Sequence, residues 1–420
     1  MARYATSALA FAAILVACPG PEPHLRPGGA TTASHGGAGG GGVGGMGGSG
    51  GDGHGGADPC DRDEVEACGT CFRPLRQIAA RVTLSGVLDW DGDGDRDIVG
   101  LAPGGIFNVL FAESGGVFGS AMPFPPPINF GRSARFTDDD FPDSIVIQQM
   151  QNIGYRENLA GSALGGIVPV DTQTGPRAFV TGDINGDGIH DAVLLRCELD
   201  NCMINPVSLP VYIATGIGGT TPFVTPAPTV TAHPTVVGVL AMVTNDAFAD
   251  LVTLNWDDDE LQVYINTSGS LSATPMTVPI SPPGMGPSGV SVMDIDGVGG
   301  PELAITHGGA ASDVSIMTST TSGDISAYTF VPVEGGQSSP TLVDLDGGGY
   351  VDLVVSVTLP GDMNQITVAC GNETGFDAPQ VIADDPSLGK YVIVEDIDGD
   401  GARDIAARTM GGFALILASP

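Results

Sequence analysis

Five stretches of this 420-residue chain follow one pattern, D-x-[DN]-G-x-G-x-x-[DE], and each runs straight into an apolar segment. They are DWDGDGDRD at 89–97, DINGDGIHD at 183–191, DIDGVGGPE at 294–302, DLDGGGYVD at 344–352 and DIDGDGARD at 396–404. Together they hold 18 of the 49 Asp and Glu residues. Carboxylates repel at such spacing unless a counter-charge sits among them. A hard cation is the simplest one, because calcium takes six to eight oxygens and alternate Asp side chains on a Gly-bearing turn can supply several. The competing reading of any single copy is a solvated acidic turn, since Asp and Gly favour turns in any case. Five copies in register argue for the cation.

The expected ligands are the oxygen-bearing side chains at positions 1, 3, 5 and 9. In the first loop these are Asp89, Asp91, Asp93 and Asp97, with Asp95 adding a further acid. The second offers Asp183, Asn185, Asp187 and Asp191, and the last Asp396, Asp398, Asp400 and Asp404. The other two loops carry Val298 and Gly348 at position 5. That leaves Asp294, Asp296 and Glu302 in one, and Asp344, Asp346 and Asp352 in the other. Three firm calcium sites and two weaker ones follow. The pattern is not an EF-hand, which needs a bidentate Glu at position 12. Here the twelfth residues are Gly100, Leu194, Ile305, Val355 and Ala407. The loops therefore join strands rather than helices.

The ninth-position acid also serves as a ruler. Two degenerate copies, FTDDDFPDSIVI at 136–147 and VTNDAFADLVTL at 243–254, keep an acid before a strand at Asp143 and Asp250 but lose the Gly-bearing middle. They read as too short to wrap an ion. With them the acids fall at 97, 143, 191, 250, 302, 352 and 404, at intervals of 46 to 59 residues. A repeat of this length built from short strands is one blade of a β-propeller. In residues 340–382, PTLVDLD, DLVVSVT, NQITVACGN and GFDAPQVIA read as four strands. Few aromatics (6%) with 64 Gly and 32 Pro suit short strands and many turns. The expected fold is all-β: a seven-bladed β-propeller over 72–420, with four-stranded blades and calcium-binding loops between first and second strands. The last repeat lacks a fourth strand, and Phe72–Ile78 is spare to complete it. Such closure leaves no open edge, and a monomer is expected.

These residues resemble the FG-GAP and VCBS-type repeats of integrin α-chain-like propellers over about residues 80–420. The likeness is carried by the five loops with their following strands and by Gly100-Leu101-Ala102-Pro103, similar to a G-A-P ending. Asn372-Glu373-Thr374-Gly375-Phe376 is similar to an N-x-x-G-x-F turn, and Asn266-Thr267-Ser268-Gly269 is a weaker copy. The resemblance implies the propeller fold and bound calcium. It leaves the ligand open, because such propellers include adhesion modules, polysaccharide lyases and structural domains.

The N-terminus reads as an address. Residues 5–17, ATSALAFAAILVA, are apolar, follow Arg3 and are too short to span a bilayer, which suits a signal peptide over 1–17. Leu15-Val16-Ala17-Cys18 resembles a bacterial lipobox, which implies cleavage before Cys18 and lipid attachment to its sulfur. Residues 18–59 form a linker, with 15 Gly between Gly36 and Gly56. As a flexible coil it reaches roughly 35 Å. An exported, membrane-anchored lipoprotein of the outer membrane or cell surface follows. An exported chain can oxidise its cysteines. Cys197 and Cys202 could close a short loop, and one of Cys60, Cys68 and Cys71, in the segment 60–71, should reach Cys370.

A net charge of −34 excludes a nucleic-acid partner, since phosphate contacts need a basic surface. It also opposes adsorption to anionic lipid, leaving the lipid anchor as the membrane contact. No H-E-x-x-H or G-x-x-x-x-G-K-[ST] occurs, and His190, His233 and His307 are isolated in sequence. His190 is expected to point to solvent. The leading reading is a non-enzymatic, calcium-stabilised binding or adhesion module for a protein or glycan. The rival is a polysaccharide lyase or other carbohydrate-active enzyme. It would need a cluster such as Tyr155, Arg156 and a His on one face, and the scarcity of basic residues, 15 Lys and Arg, counts against it.

Overall fold

The computed structural model describes residues 60–419, leaving out 61–62, 79, 129, 149–151, 172–175, 197–208, 215–226, 233–236, 245, 256–257, 281–285, 296, 308–312 and 362. Among the described residues every regular element is a strand. Twenty-eight of the strands form seven four-stranded antiparallel sheets in chain order. The first is Thr83–Leu88, Asp97–Ala102, Ile106–Leu110 and Met122–Phe124. The second is Phe130–Ala134, Asp143–Gln148, Asn152–Arg156 and Val168–Asp171. The third is Pro176–Gly182, Asp191–Arg196, Leu209–Ala214 and Ala227–Ala232, and the fourth Gly238–Ala241, Asp250–Asn255, Glu260–Tyr264 and Met276–Pro279. The fifth is Pro287–Met293, Glu302–His307, Asp313–Ser319 and Ile325–Pro332. The sixth is Gly336–Val343, Asp352–Leu359, Met363–Ala369 and Gln380–Asp384.

The seventh sheet draws on both ends of the chain. Leu388–Glu395, Asp404–Thr409 and Gly412–Ile416 are joined by Arg76–Ile78, with Arg76 opposite Leu415 and Ile78 opposite Phe413. The expected closing segment is thus its last three residues. Phe72 belongs instead to a hairpin, Val65–Ala67 with Thr70–Phe72, whose second strand pairs with Ala418–Ser419. Disulfides Cys60–Cys71 and Cys68–Cys370 fasten this hairpin, so the residue that reaches Cys370 is Cys68. Cys197 and Cys202 lie outside the described residues, as do Cys18 and the linker.

The first strand of each sheet lies against the first strand of the next, and Leu388–Glu395 lies against Thr83–Leu88, so the sheets close a ring. This packing explains the burial pattern. Second strands have neighbours on both edges and sheets on both faces. Asp250–Asn255 and Glu302–His307 are buried at every position, and their sequences read as continuous apolar runs rather than alternations. The cores fill the spaces between sheets. One joins Ile98 and Leu110 of the first sheet to Ala406, Phe413 and Leu415 of the seventh. Another joins Ala67 and Phe72 of the hairpin to Val354, Val368 and Ile405 of the sixth and seventh.

Candidate metal centres

Each sheet turns from its first to its second strand through a loop of one length. The last residue of the first strand pairs with the ninth-position acid in all seven: Leu88 with Asp97, Ala134 with Asp143, Gly182 with Asp191, Ala241 with Asp250, Met293 with Glu302, Val343 with Asp352 and Glu395 with Asp404. The loops before Asp143 and Asp250 are therefore not too short, contrary to the expectation from their sequences. They differ in chemistry. The third position holds Thr137 or Thr244 where five loops have Asp or Asn. Thr137 Oγ donates to Asp143 at 2.9 Å and Thr244 Oγ to Asp250 at 3.0 Å.

The ninth acid is buried in every sheet, at most 4% exposed. In six sheets it accepts the backbone amide of the loop's second residue: Trp90 N to Asp97, Ile184 N to Asp191, Val243 N to Asp250, Ile295 N to Glu302, Leu345 N to Asp352 and Ile397 N to Asp404, at 2.8–3.0 Å. The other oxygen takes an amide that follows the third strand. Ala112, Asn158, Asn266, Gly371 and Ala418 supply it in five sheets, at 2.7–2.8 Å. One carboxylate thus fixes two strand ends at once. Burial raises its pKa against these bonds, to about 6 for Asp97, Asp143, Asp352 and Asp404, and upward also for Asp250.

Position 1 organises the loop. Asp89 accepts the amides of Gly92 and Gly94, and Asp183 and Asp396 accept the corresponding pairs from Gly186 and Gly188 and from Gly399 and Gly401. Those glycines all have positive φ, between 77° and 95°, which is why the pattern keeps them. Positions 1, 3 and 9 converge. Asp89, Asp91 and Asp97 place carboxylate oxygens within 4.8 Å of one another, as do Asp344, Asp346 and Asp352, and Asp396, Asp398 and Asp404. The loop at 183 has the same hydrogen bonds around Asp183 and Asp191, with Asn185 at position 3. Position 5 turns elsewhere: Asp93, Asp187 and Asp400 accept the amides of Asp95, Ile189 and Ala402. Asp95 stands exposed. In the loop at 294, Asp294 accepts Gly297 N, and Asp296 lies outside the described residues.

Two atoms test whether a cation suits these clusters. Asp91 Oδ1 and Asp344 Oδ1 are buried with no hydrogen-bond partner. A buried carboxylate oxygen left unpaired costs free energy that an adjacent positive charge removes. Mutual repulsion adds to burial in raising the Asp91 and Asp398 pKa values. The donor set is all oxygen, and suits a hard divalent ion.

Neighbouring sheets lock onto the loops. Asn158 Nδ2 in the second sheet donates to Trp90 O in the first loop and to Pro142 O. Asn266 in the fourth repeats this toward Ile184 O and Ala249 O. No sequence motif singled out Asn158, although Asn158-Leu159-Ala160-Gly161 has the spacing of Asn266-Thr267-Ser268-Gly269. These contacts put the loops of adjacent sheets on one end of the ring.

The fold neighbours agree with this geometry. No family model matches the chain, and no curated protein matches its sequence. Solved structures match most of its length. The BP39L lectin from Burkholderia pseudomallei superposes with a TM-score of 0.62 at 13% identity, covering 83% of this chain and 96% of the lectin. BBS1N, in a complex with ARL6DN, gives 0.52 at 14% identity over 85% and 96%. YCF48 from Cyanidioschyzon merolae gives 0.52 at 10% over 82% and 97%. The fold is a β-propeller. Identities this low speak for the propeller architecture and for nothing about ligands.

Residues considered for an enzymatic face are not assembled as one. Tyr155 and Arg156 are buried, and the Arg156 guanidinium donates to the carbonyls of Phe124, Pro125 and Gly165, tying the first two sheets. His190 does not simply face solvent. It hydrogen-bonds Arg135 O and packs edge-on against Phe136. His307 is fully buried and pairs with Ser315.

Proposed function

We propose that the chain is a seven-bladed, calcium-stabilised binding or adhesion propeller of the FG-GAP and VCBS type, held at a bacterial surface by a lipid on Cys18. The seven sheets are the blades. Calcium would be held at positions 1, 3 and 9: by Asp89, Asp91 and Asp97, by Asp344, Asp346 and Asp352, and by Asp396, Asp398 and Asp404. The loop at 183 offers Asp183, Asn185 and Asp191. The observation that carries this reading is the unpaired, buried oxygen of Asp91 and of Asp344 inside clusters of like charge. When bound, the ion supplies the positive charge that these loops lack. The chain supplies the rest: ninth-position carboxylates pinned by backbone amides, first-position carboxylates curling the loop, and asparagines bolting one blade to the next.

The role is recognition rather than catalysis, since the polar side chains singled out on the sequence are engaged in structural bonds. A surface-tethered propeller with its loop end rigidified by ions presents its opposite end, built by turns between second and third strands, to a protein or glycan. The test is a glycan and protein-partner array with the exported chain, with and without calcium. Selective binding that weakens in EDTA supports the reading. Turnover of a polysaccharide with no stable binding would favour the enzymatic alternative.

A further inference from the structure

Loops of the first and third blades are covered by a turn from the next blade. The turns share one conformation, a non-glycine then a glycine, both left-handed: Ala160-Gly161 at φ 52° and 72°, and Ser268-Gly269 at 54° and 87°. Each glycine sits on the third-position residue of the covered loop. A Cβ on Gly161 would meet Asp91 Cβ at 2.2 Å, and one on Gly269 would meet the Asn185 Cα at 3.2 Å. Both turns follow the third strand of their blade. In the seventh blade the fourth strand, Arg76–Ile78, comes from elsewhere in the chain, so no such turn joins third to fourth. The sixth blade's loop at 344 would be left bare.

The hairpin Val65–Phe72 occupies that place. Its tip is Cys68-Gly69, at φ 52° and 68°, the same pair of left-handed residues. A Cβ on Gly69 would lie 3.1 Å from Asp346 Oδ2, so Gly69 rests on the third position as Gly161 and Gly269 do. The hairpin is joined to the blade by pairing with Ala418–Ser419 and by the Cys68–Cys370 disulfide. That disulfide touches the site: both sulfurs and an Asp352 oxygen lie within 4.8 Å of one another. The next residue, Gly371, donates its amide to Asp352 Oδ1 at 2.8 Å.

Resting on the calcium reading above, we infer that Cys68–Cys370 is a redox-sensitive clamp on the calcium site at 344. In the first and third blades the cover is secured by chain continuity; here a covalent bond that a reductant can open takes its place. The cover touches two of the three carboxylates of the loop at 344: Gly69 rests on Asp346, and the disulfide and the Gly371 amide lie against Asp352. What packs on Asp346 and Asp352 therefore helps to hold them in place. A dithiol such as dithiothreitol would transfer two electrons and two protons to the bond, giving two thiols and its own cyclic disulfide. The hairpin tip would then be free to leave Asp346, and the site would lose its pre-organisation. Linkage requires the converse: bound calcium must protect the disulfide.

The experiment uses the full chain carrying Cys18→Ser, compared with versions adding Cys68→Ala/Cys370→Ala or Gly69→Val. Calcium is titrated by calorimetry, and bound ions are counted by native mass spectrometry. In both variants one site should weaken at least tenfold while the others stay within twofold. Adding Asp346→Asn should remove that same weakened site and no other. In the Cys18→Ser chain itself, calcium should shift the equilibrium for reduction of Cys68–Cys370 at least tenfold toward the disulfide, read by alkylation and peptide mass after equilibration in reduced and oxidised dithiothreitol. That arm needs no folded variant. Unchanged affinities in Gly69→Val together with a calcium-independent reduction equilibrium overturn the clamp. A parent chain that binds no calcium at all overturns the calcium reading itself, a distinguishable result.

Discussion

Removing calcium should invert the usual response of a protein to acid. Asp97, Asp143, Asp352 and Asp404 have their pKa values pushed up to about 6, mainly by burial. In the unfolded chain they titrate near 3.9. Each therefore binds its proton more tightly when folded, and stability rises as pH falls from about 7 toward about 4. One such group, shifted by about two units, is worth ~3 kcal/mol. At roughly 2 °C per kcal/mol for a domain of this size, that is about 5 °C in the midpoint. Two histidines act the other way. His190 and His307 have lowered pKa values, so charging them below about 6.5 destabilises. Four raised carboxylates outweigh two histidines, and loss of negative charge from a chain at −34 works in the same direction as the carboxylates. With calcium the sign changes: an ion at a hundredfold excess over Kd adds about 2.7 kcal/mol per site at neutral pH. Protons displace it by about pH 5. The assay is thermal unfolding by circular dichroism at pH 7.5, 6, 5 and 4.5, in calcium and in EDTA. The EDTA form should be several degrees more stable at pH 5 than at 7.5, and the gap between calcium and EDTA should close at pH 5. A steady fall in EDTA stability from pH 7.5 to 5 would refute the argument that burial holds these acids up.

Other outcomes are as specific. Asp250→Ala strands the amides of Val243, Thr244 and Asn266 in the core and should cost about 3–5 kcal/mol in urea unfolding, with no change in calcium stoichiometry. Asn266→Ala removes the bonds to Ile184 O and Ala249 O and should cost about 2 kcal/mol, with calcium binding at 183 weakened because the loop loses its cover. Cys18→Ser should abolish incorporation of a clickable fatty acid and release the chain from membranes; equal labelling of both forms would rule out the lipobox.

What could be read from the sequence was whatever repeats at fixed spacing. The ninth-position acids marked where the second strand of each sheet begins, because that carboxylate pairs with the last residue of the first strand. Of the spare stretch Phe72–Ile78, the part that closes the seventh sheet, Arg76–Ile78, could be placed because the last repeat was one strand short, whereas the hairpin that takes Phe72 could not. Pairwise facts were not legible. That Cys68 rather than Cys60 or Cys71 meets Cys370 depends on a hairpin whose register is set by Ala418 and Ser419, more than 340 residues away. The burial of Tyr155 and Arg156 follows from carbonyls of another blade, and nothing local to those residues signals it.

The two degenerate loops carry the most instructive difference. Judged by lost glycines and acids, they seemed truncated, yet their strands pair in the same register as the other five. What they retain is the ninth acid, and what they substitute is a threonine at the third position. The order of dependence follows. The buried carboxylate is kept in every blade, and at Asp97, Asp250, Asp352 and Asp404 its two oxygens terminate backbone groups on two strands that would otherwise be unpaired. Its charge then has to be stabilised locally. Thr137 and Thr244 do so with a hydroxyl, and the acidic loops would do so with an ion. A loop can therefore lose its metal ligands and keep its fold, provided that a hydroxyl arrives at position 3. Replacing Thr244 by Val tests this directly. It keeps the shape and the Val243 and Thr244 amide bonds but removes one of the three donors to Asp250 Oδ2, which should cost about 1 kcal/mol. The same Thr→Val change at an exposed position of the fourth blade, Thr277, should cost almost nothing. Equal losses at both positions would mean that the hydroxyl at 244 does not stand in for a cation.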